Sequence, residues 1–294
     1  MIAGRAAITG ARGQLGRQLA AAFAASGWEV LALGHDQLDI GADDALEQLE
    51  AWRPTVVINA AAWTDVDGCA RDPQRALRIN GAAAGRVAEA AARAGALVVQ
   101  VSTNEVFDGA AERPYLADDA PNPVNPYGAS KLAGERAVAA ATPDHLIVRT
   151  AWVFGPGGRN FPTKIVDAAR RRAAADEPLS VVADEFGNPT WAPDLADGIR
   201  GAVEAIRDGR LRPGILHVAG EPPVSRFDWA REILAALSGL RLVPISATDF
   251  PRASRTPLRA VLSTEQAAAL GIGPFDWRPV TRQYAAELLA GASD

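Results

Sequence analysis

The chain has 294 residues, 48% of them apolar, which excludes disorder and suffices for one large domain or two smaller ones around a buried core. Its net charge of −5 and its lack of a Lys/Arg-dense tract beyond "ARRRA" (169–173), a solvated helix face, exclude a nucleic-acid partner. One cysteine excludes an internal disulfide, no Cys/His spacing suits a metal, and no apolar run approaches the ~20 residues of a membrane span.

In chain order, "RAAIT" (5–9) reads as a strand ending at Gly10 and "QLGRQLAAAFAAS" (14–26) as a helix stopped by Gly27. The N-terminus is this strand and not a signal peptide, so a cytoplasmic location without membrane contact is expected. Strand "EVLAL" (29–33), helix "DDALEQLEAW" (43–52) and strand "TVVINAAA" (55–62) follow, then a long helical stretch from Pro73 to Ala94. Strand "LVVQVST" (97–103), a loop to Pro126, helix 127–141 and strand "HLIVRTA" (145–151) complete the first half. Continuous apolar strands separated by helices predict an α/β fold with a doubly wound parallel sheet. Beyond residue 150 the rhythm loosens: helix 161–175, strand 179–183, helix 194–207, strand 214–220, helix 227–237 and a Pro/Arg/Ser-rich stretch over 244–259. The expectation is a dinucleotide-binding domain over 1–150 and a smaller, mainly substrate-binding domain over 151–294, with some later segments returning to the first sheet.

Three sites carry chemistry. "TGARGQLG" places Gly10, Gly13 and Gly16 between the first strand and the first helix. Glycines there let the backbone approach a pyrophosphate at a helix start with unpaired N–H groups. A plain Gly-rich turn is the alternative, but position and the strand to follow favour a dinucleotide. At the end of the second strand an acid would select NAD and a base NADP. Here Gly34 and His35 stand in that place, with Asp36 just beyond and Asp39 and Ile40 near the adenine, so NADPH or NADH is expected.

The third site is "NPYGASKLAGE" (125–135). The chain has three tyrosines and only two lysines, yet Tyr127 and Lys131 stand one helical turn apart. A phenol near an ammonium is an acid–base catalyst for a carbonyl or alcohol oxygen, and arginine would place its charge differently. The phenol is expected to be acidified by that ammonium together with an oxidised nicotinamide ring. Ser102 and Thr103, at the end of the fourth strand, offer a hydroxyl for the substrate oxygen.

On these segments, and on "VVINAAAWTDVD", "IVRTAWVFGPGGRNF", "VVADEFGNPTWAPDLA" and "SRTPLRAVLS", nearly the whole chain resembles the nucleotide-sugar branch of the extended short-chain dehydrogenase/reductases, most closely the dTDP-4-dehydrorhamnose reductase family. The resemblance implies Tyr127 as proton donor, Lys131 as its partner and Thr103 as a substrate-oxygen contact. It implies a dinucleotide held by Gly10, Arg12, Gly13, Gln14, Leu15, Gly16, His35, Asp39, Ile40, Ala61, Ala62, Trp63, Thr64 and Ser102, together with Tyr127 and Lys131. It implies a dTDP-sugar contacted by Thr103, Asn104, Glu105, Trp152, Asn160 and Arg255, in a monomer or homodimer with no metal carried over. For Trp152, simple strand-end packing is the alternative.

Three positions depart from the family pattern. Asn104-Glu105 stand where the family has Asp-Tyr, Gly34 replaces an acid, and "RTPLRA" (255–260) replaces an R-P-x-N-S pattern. Glu105 also matches the T-D-E-V-Y of nucleotide-sugar 4,6-dehydratases, but Asn104 cannot deliver a proton as their Asp does. A non-catalytic role like that of the regulatory subunit of methionine adenosyltransferase, which resembles the same family, is the alternative of a different class.

Overall fold

The computed structural model describes residues 4–42, 46–237 and 239–291. Five strands of the first half, β1 (Arg5–Thr9), β2 (Glu29–Leu33), β3 (Val56–Asn59), β4 (Leu97–Thr103) and β5 (His145–Thr150), join the strand Gly214–His217 in one parallel sheet. Across the sheet the order is β2, β1, β3, β4, β5, then Gly214–His217. This is the doubly wound α/β architecture, and its chain order reverses between β1 and β3. The crevice at the carboxyl ends of those strands is where such sheets take ligands.

The alternation of strand side chains explains the two helical layers. Ile8, Ile58, Val99 and Val148 point to one face and pack on Leu19 and Phe23 of helix α1 (Gln14–Ala25) and on Leu195 and Ile199 of the helix Ala192–Arg207. Their neighbours Ala7, Val57 and Val98 point to the other face, toward Val87, Ala88, Ala91 and Val138. Both faces are buried, which is why these strands read as unbroken apolar runs. A separate apolar cluster lies among the later helices Phe161–Ala174, Arg226–Ile233 and Trp277–Ala290, around Phe154, Trp229, Trp277 and Tyr284.

Helix α2 is described over Glu47–Trp52; residues 43–45 of the predicted helix lie outside the described residues. Asp65 caps the short helix α3 (Val66–Arg71). The single helix expected from Pro73 to Ala94 is three pieces: α4 (Pro73–Ala76), a π-helical turn Leu77–Ala82, and α5 (Ala83–Arg93). The π turn sits where helix α6 (Pro126–Ala141) crosses. A Cβ on Gly134 of α6 would lie 2.2 Å from the Asn80 carbonyl oxygen, so only glycine allows this approach.

Beneath the sheet's carboxyl end lies a buried ion pair. Arg149 donates to both oxygens of Glu135, at 3.0 and 2.7 Å. The pair joins β5 to α6. Removing one partner would strand the other charge, at a cost of about 3–5 kcal/mol.

His217, 2% exposed, ends the edge strand beside this pair and packs edge-on against Phe107. Burial first, and then the Arg149 guanidinium, push its imidazole down to about 4. An unfolded histidine titrates near 6.5, so below that pH the unfolded chain takes a proton that the folded chain refuses. The stability this group contributes is complete above about pH 6.5 and is lost as pH falls through about 4, to a total of about 3 kcal/mol. Urea midpoints measured between pH 7.5 and 4 should therefore fall more steeply in the parent than in His217→Gln. Parallel curves would assign the acid sensitivity to other groups.

Among the described residues, no helix is long and apolar enough to cross a membrane, and no group of three or more His, Cys, Asp or Glu residues is placed to hold a metal ion.

Candidate active site

The turn after β1 is built for close approach. Gly10 adopts a left-handed φ of 67°, and a Cβ on Gly16 would lie 2.2 Å from the Gly10 carbonyl oxygen. No side chain caps α1 at Gly13, so the first-turn N–H groups around Gln14 and Leu15 keep their capacity for an anion. The cradle therefore fits a dinucleotide pyrophosphate.

At the end of β2, the Arg12 side chain lies over Gly34, with its aliphatic carbons 2.8 Å from where a Cβ would stand. Arg12 pairs with Asp36 at 2.8 Å, so Gly34 makes room for this pair. His35, expected at the cofactor, has an 85% exposed side chain in this structure and stands 3.9 Å from Asp39. Asp39 turns back to accept from the Gly41 amide. Ile40 is buried, and Arg86 holds its carbonyl.

A polar ladder crosses the strand ends. Thr9 donates to Asn59 Oδ1 at 2.6 Å, and the Asn59 amide donates to Gln100 Oε1 at 2.8 Å. It sets the exit of β3 into Ala61-Ala62-Trp63-Thr64. Asn80 fixes that segment further: it accepts from the Trp63 amide at 2.8 Å and donates to the Trp63 carbonyl and to Ser130 Oγ, both at 3.0 Å. Ser130 in turn donates to the Tyr127 carbonyl at 2.7 Å. Asn80 thus ties the dinucleotide side of the crevice to the helix bearing Tyr127. Sequence reasoning missed it; the signal was an Asn-Gly pair, two poor helix formers, inside a helical run.

Tyr127 and Lys131 stand on the first turns of α6, whose start Asn125 caps by accepting from the Gly128 amide at 2.7 Å. Thr103 acts on the Tyr127 phenol and favours its ionised form. One expectation is corrected. The phenol is not acidified here: burial raises its pKa, the Glu105 charge adds to this, and Thr103 opposes. Lys131, 4% exposed, donates Nζ to the Val101 carbonyl at 2.7 Å, and burial brings its ammonium down to about 8. Tyr127 is therefore held as the protonated acid, the form that a carbonyl reduction consumes.

Three other expectations shift. Ser102 alternates away from Thr103 along β4 and donates to Glu135 at 2.5 Å, so its hydroxyl supports the buried ion pair. Asn160 caps the helix Phe161–Ala174, and its amide is spent on the Gly155 carbonyl and Gln14 Oε1. In this structure it organises the loop before that helix. The Arg255 side chain is exposed, while its carbonyl accepts from Asn125. The inward guanidinium of that loop is Arg252, paired with Glu185 at 2.7 Å.

Asn104 is buried and donates to the Ala260 carbonyl, which anchors the loop carrying Glu105. Glu105 accepts from Asn125 at 2.6 Å. Burial raises its pKa, with Asn125 and Arg226 opposing. Trp152 adopts a left-handed φ of 45°, rare for a bulky residue, at the junction between the sheet and the later helices.

The profile of the family "RmlD substrate binding domain" matches residues 5–290. The chain is 42% identical to a dTDP-4-dehydrorhamnose reductase of Mycolicibacterium smegmatis, over 100% of this chain and 89% of that protein. Its fold superposes on the dTDP-4-dehydrorhamnose reductase of Clostridium acetobutylicum with a TM-score of 0.87 at 34% identity, covering 97% of this chain and 99% of that one. The Bacillus anthracis reductase, solved in complex with NADP, gives 0.87 at 31% identity, covering 98% and 100%. The chain thus belongs to the RmlD substrate binding domain family, the family of the dTDP-4-dehydrorhamnose reductases.

Proposed function

We propose that this protein reduces the C4 ketone of dTDP-4-dehydro-β-L-rhamnose to dTDP-L-rhamnose, with NADPH or NADH as reductant, in the cytoplasm. The observation that supports the reading is that Tyr127 and Lys131 share the first turns of α6, with Thr103 acting on the phenol, in a sheet whose Gly10–Gly16 turn leaves helix N–H groups open to an anion. The nicotinamide cofactor, when bound, supplies the hydride. Thr103 orients the ketone oxygen. Tyr127 gives its proton to the oxygen as negative charge develops there. Lys131 keeps a positive charge close to that oxygen and to the cofactor ribose. Trp152 lines the sugar side, and the later helices carry most of the nucleotide-sugar site. The 4,6-dehydratase reading lacks an acid: Asn104 stands in its place, with its amide donated to the Ala260 carbonyl.

Arg12 and Gly34 favour a ribose carrying a 2′-phosphate, because Asp36 is neutralised by Arg12 instead of facing the ribose alone. NADPH should serve at least as well as NADH, and Arg12→Ala should move the ratio of kcat/KM toward NADH by about tenfold. A parental preference for NADH above about a hundredfold would show that an acid reads the ribose. The activity itself is tested by cofactor consumption: one equivalent per dTDP-4-dehydro-L-rhamnose, and none with dTDP-glucose.

A further inference from the structure

We propose that Arg226 is the positioning residue of the sugar pocket: its guanidinium lies on the Trp152 indole and fixes that ring where the sugar is received. The inference rests on the reading above, in which Trp152 lines the pocket.

Four observations converge on one indole. The Arg226 Cζ stands 3.5 Å from the centre of the Trp152 ring, close for a guanidinium–aromatic contact, and 4.9 Å from the Phe161 ring. Gly187 packs on the same indole; a Cβ there would lie 2.6 Å from Trp152 Cε2. Trp229, one turn beyond Arg226 on its helix, stacks nearly parallel to Trp152 at 5.8 Å and 9°. Trp152 itself is held at a left-handed φ of 45°, a conformation that persists only when its surroundings over-determine it.

The chain delivers Arg226 and Gly187 together. Ser225 pairs antiparallel with Phe186 and Val224 with Gly187, and the Arg226 amide donates to the Glu185 carbonyl at 3.0 Å. One ladder therefore presents both residues to the indole. Arg226 is not placed by a strong ion pair. The carboxylate of Glu185 is engaged by Arg252 at 2.7 Å and by Thr256 at 2.6 Å, which leaves Arg226 Nε at 3.7 Å. Burial lowers the Arg226 pKa to about 10, against the charges of Glu185 and Glu105, so the group stays cationic at neutral pH. Glu105 lies on the catalytic loop, so Arg226 connects that loop electrostatically to the ring that receives the sugar. A lysine would keep the charge but could not lie flat on the ring.

The test combines kinetics with tryptophan fluorescence in the full chain. Arg226→Met should raise KM for the nucleotide sugar about tenfold while kcat stays within about threefold and cofactor affinity is unchanged. Arg226→Lys should recover only part of the loss, and it covers the case in which the methionine variant does not fold. Fluorescence reads Trp152 without any substrate once Trp229, whose ring lies 5.8 Å from the Arg226 Cζ, is replaced by phenylalanine throughout. The emission change caused by Arg226→Met, or by Arg226→Lys, should vanish when made in a Trp152→Phe background. An unchanged KM, or an emission change that persists in that background, overturns the proposal. Failure of the parent to turn over the sugar would overturn the proposed function instead, and the fluorescence arm would still decide on Arg226.

Discussion

Tyr127→Phe should reduce turnover by about 10²–10⁴, the range for a lost general acid, while leaving cofactor affinity nearly intact. The change deletes one hydroxyl and keeps the ring, so the start of α6 and its Asn125 cap survive. What disappears is the proton poised beside Thr103. The raised pKa adds a sign to this expectation. Burial and Glu105 keep the phenol protonated, so reduction should hold its rate on the alkaline side of neutrality until another group titrates. Parental rates in Tyr127→Phe would remove the tyrosine from the mechanism.

Lys131→Arg should lose on the order of 10² in kcat although the charge is kept. The ammonium sits in a buried slot, 4% exposed, with Nζ on the Val101 carbonyl. A guanidinium is longer and flat, so both its charge centre and its donors must move. The slot has a second neighbour in Glu135, whose charge opposes the fall in the lysine's pKa. A thermal melt run alongside separates lost chemistry from lost fold. A fully active variant would mean that a compact ammonium is not required there.

The sheet and its ends were legible in the sequence because both faces are buried and the strands are unbroken apolar runs closed by glycine or polar residues. The Gly10–Gly16 turn and the pair Tyr127 and Lys131 were legible for a related reason: few residue types can do their work. What stayed hidden depends on direction and not on residue type. Ser102 and Thr103 are both hydroxyls at one strand end, and only the alternation of β4 decides that Thr103 meets Tyr127 while Ser102 meets Glu135. Arg255 and Arg252 lie in one irregular loop, where no periodicity says which turns inward. Asn80 sits in a π turn whose extra residue leaves the helical pattern almost unchanged. Arg226 gains its meaning from Trp152 and Phe161, more than sixty residues away along the chain. The phenol's acidity was misjudged because sequence spacing reports the lysine but not the burial around the tyrosine, nor the contact of Lys131 with Val101.

The central claim is hydride delivery to C4 of the sugar with a proton from Tyr127. It is tested most directly with NADPH carrying deuterium at its transferable position and dTDP-4-dehydro-L-rhamnose as substrate. Nuclear magnetic resonance of the product should show one deuterium, at C4 of a 6-deoxy sugar, for each NADPH consumed, with Tyr127→Phe strongly slowed. A product without deuterium at C4, or loss of water from dTDP-glucose with no net NADPH consumed, would contradict it.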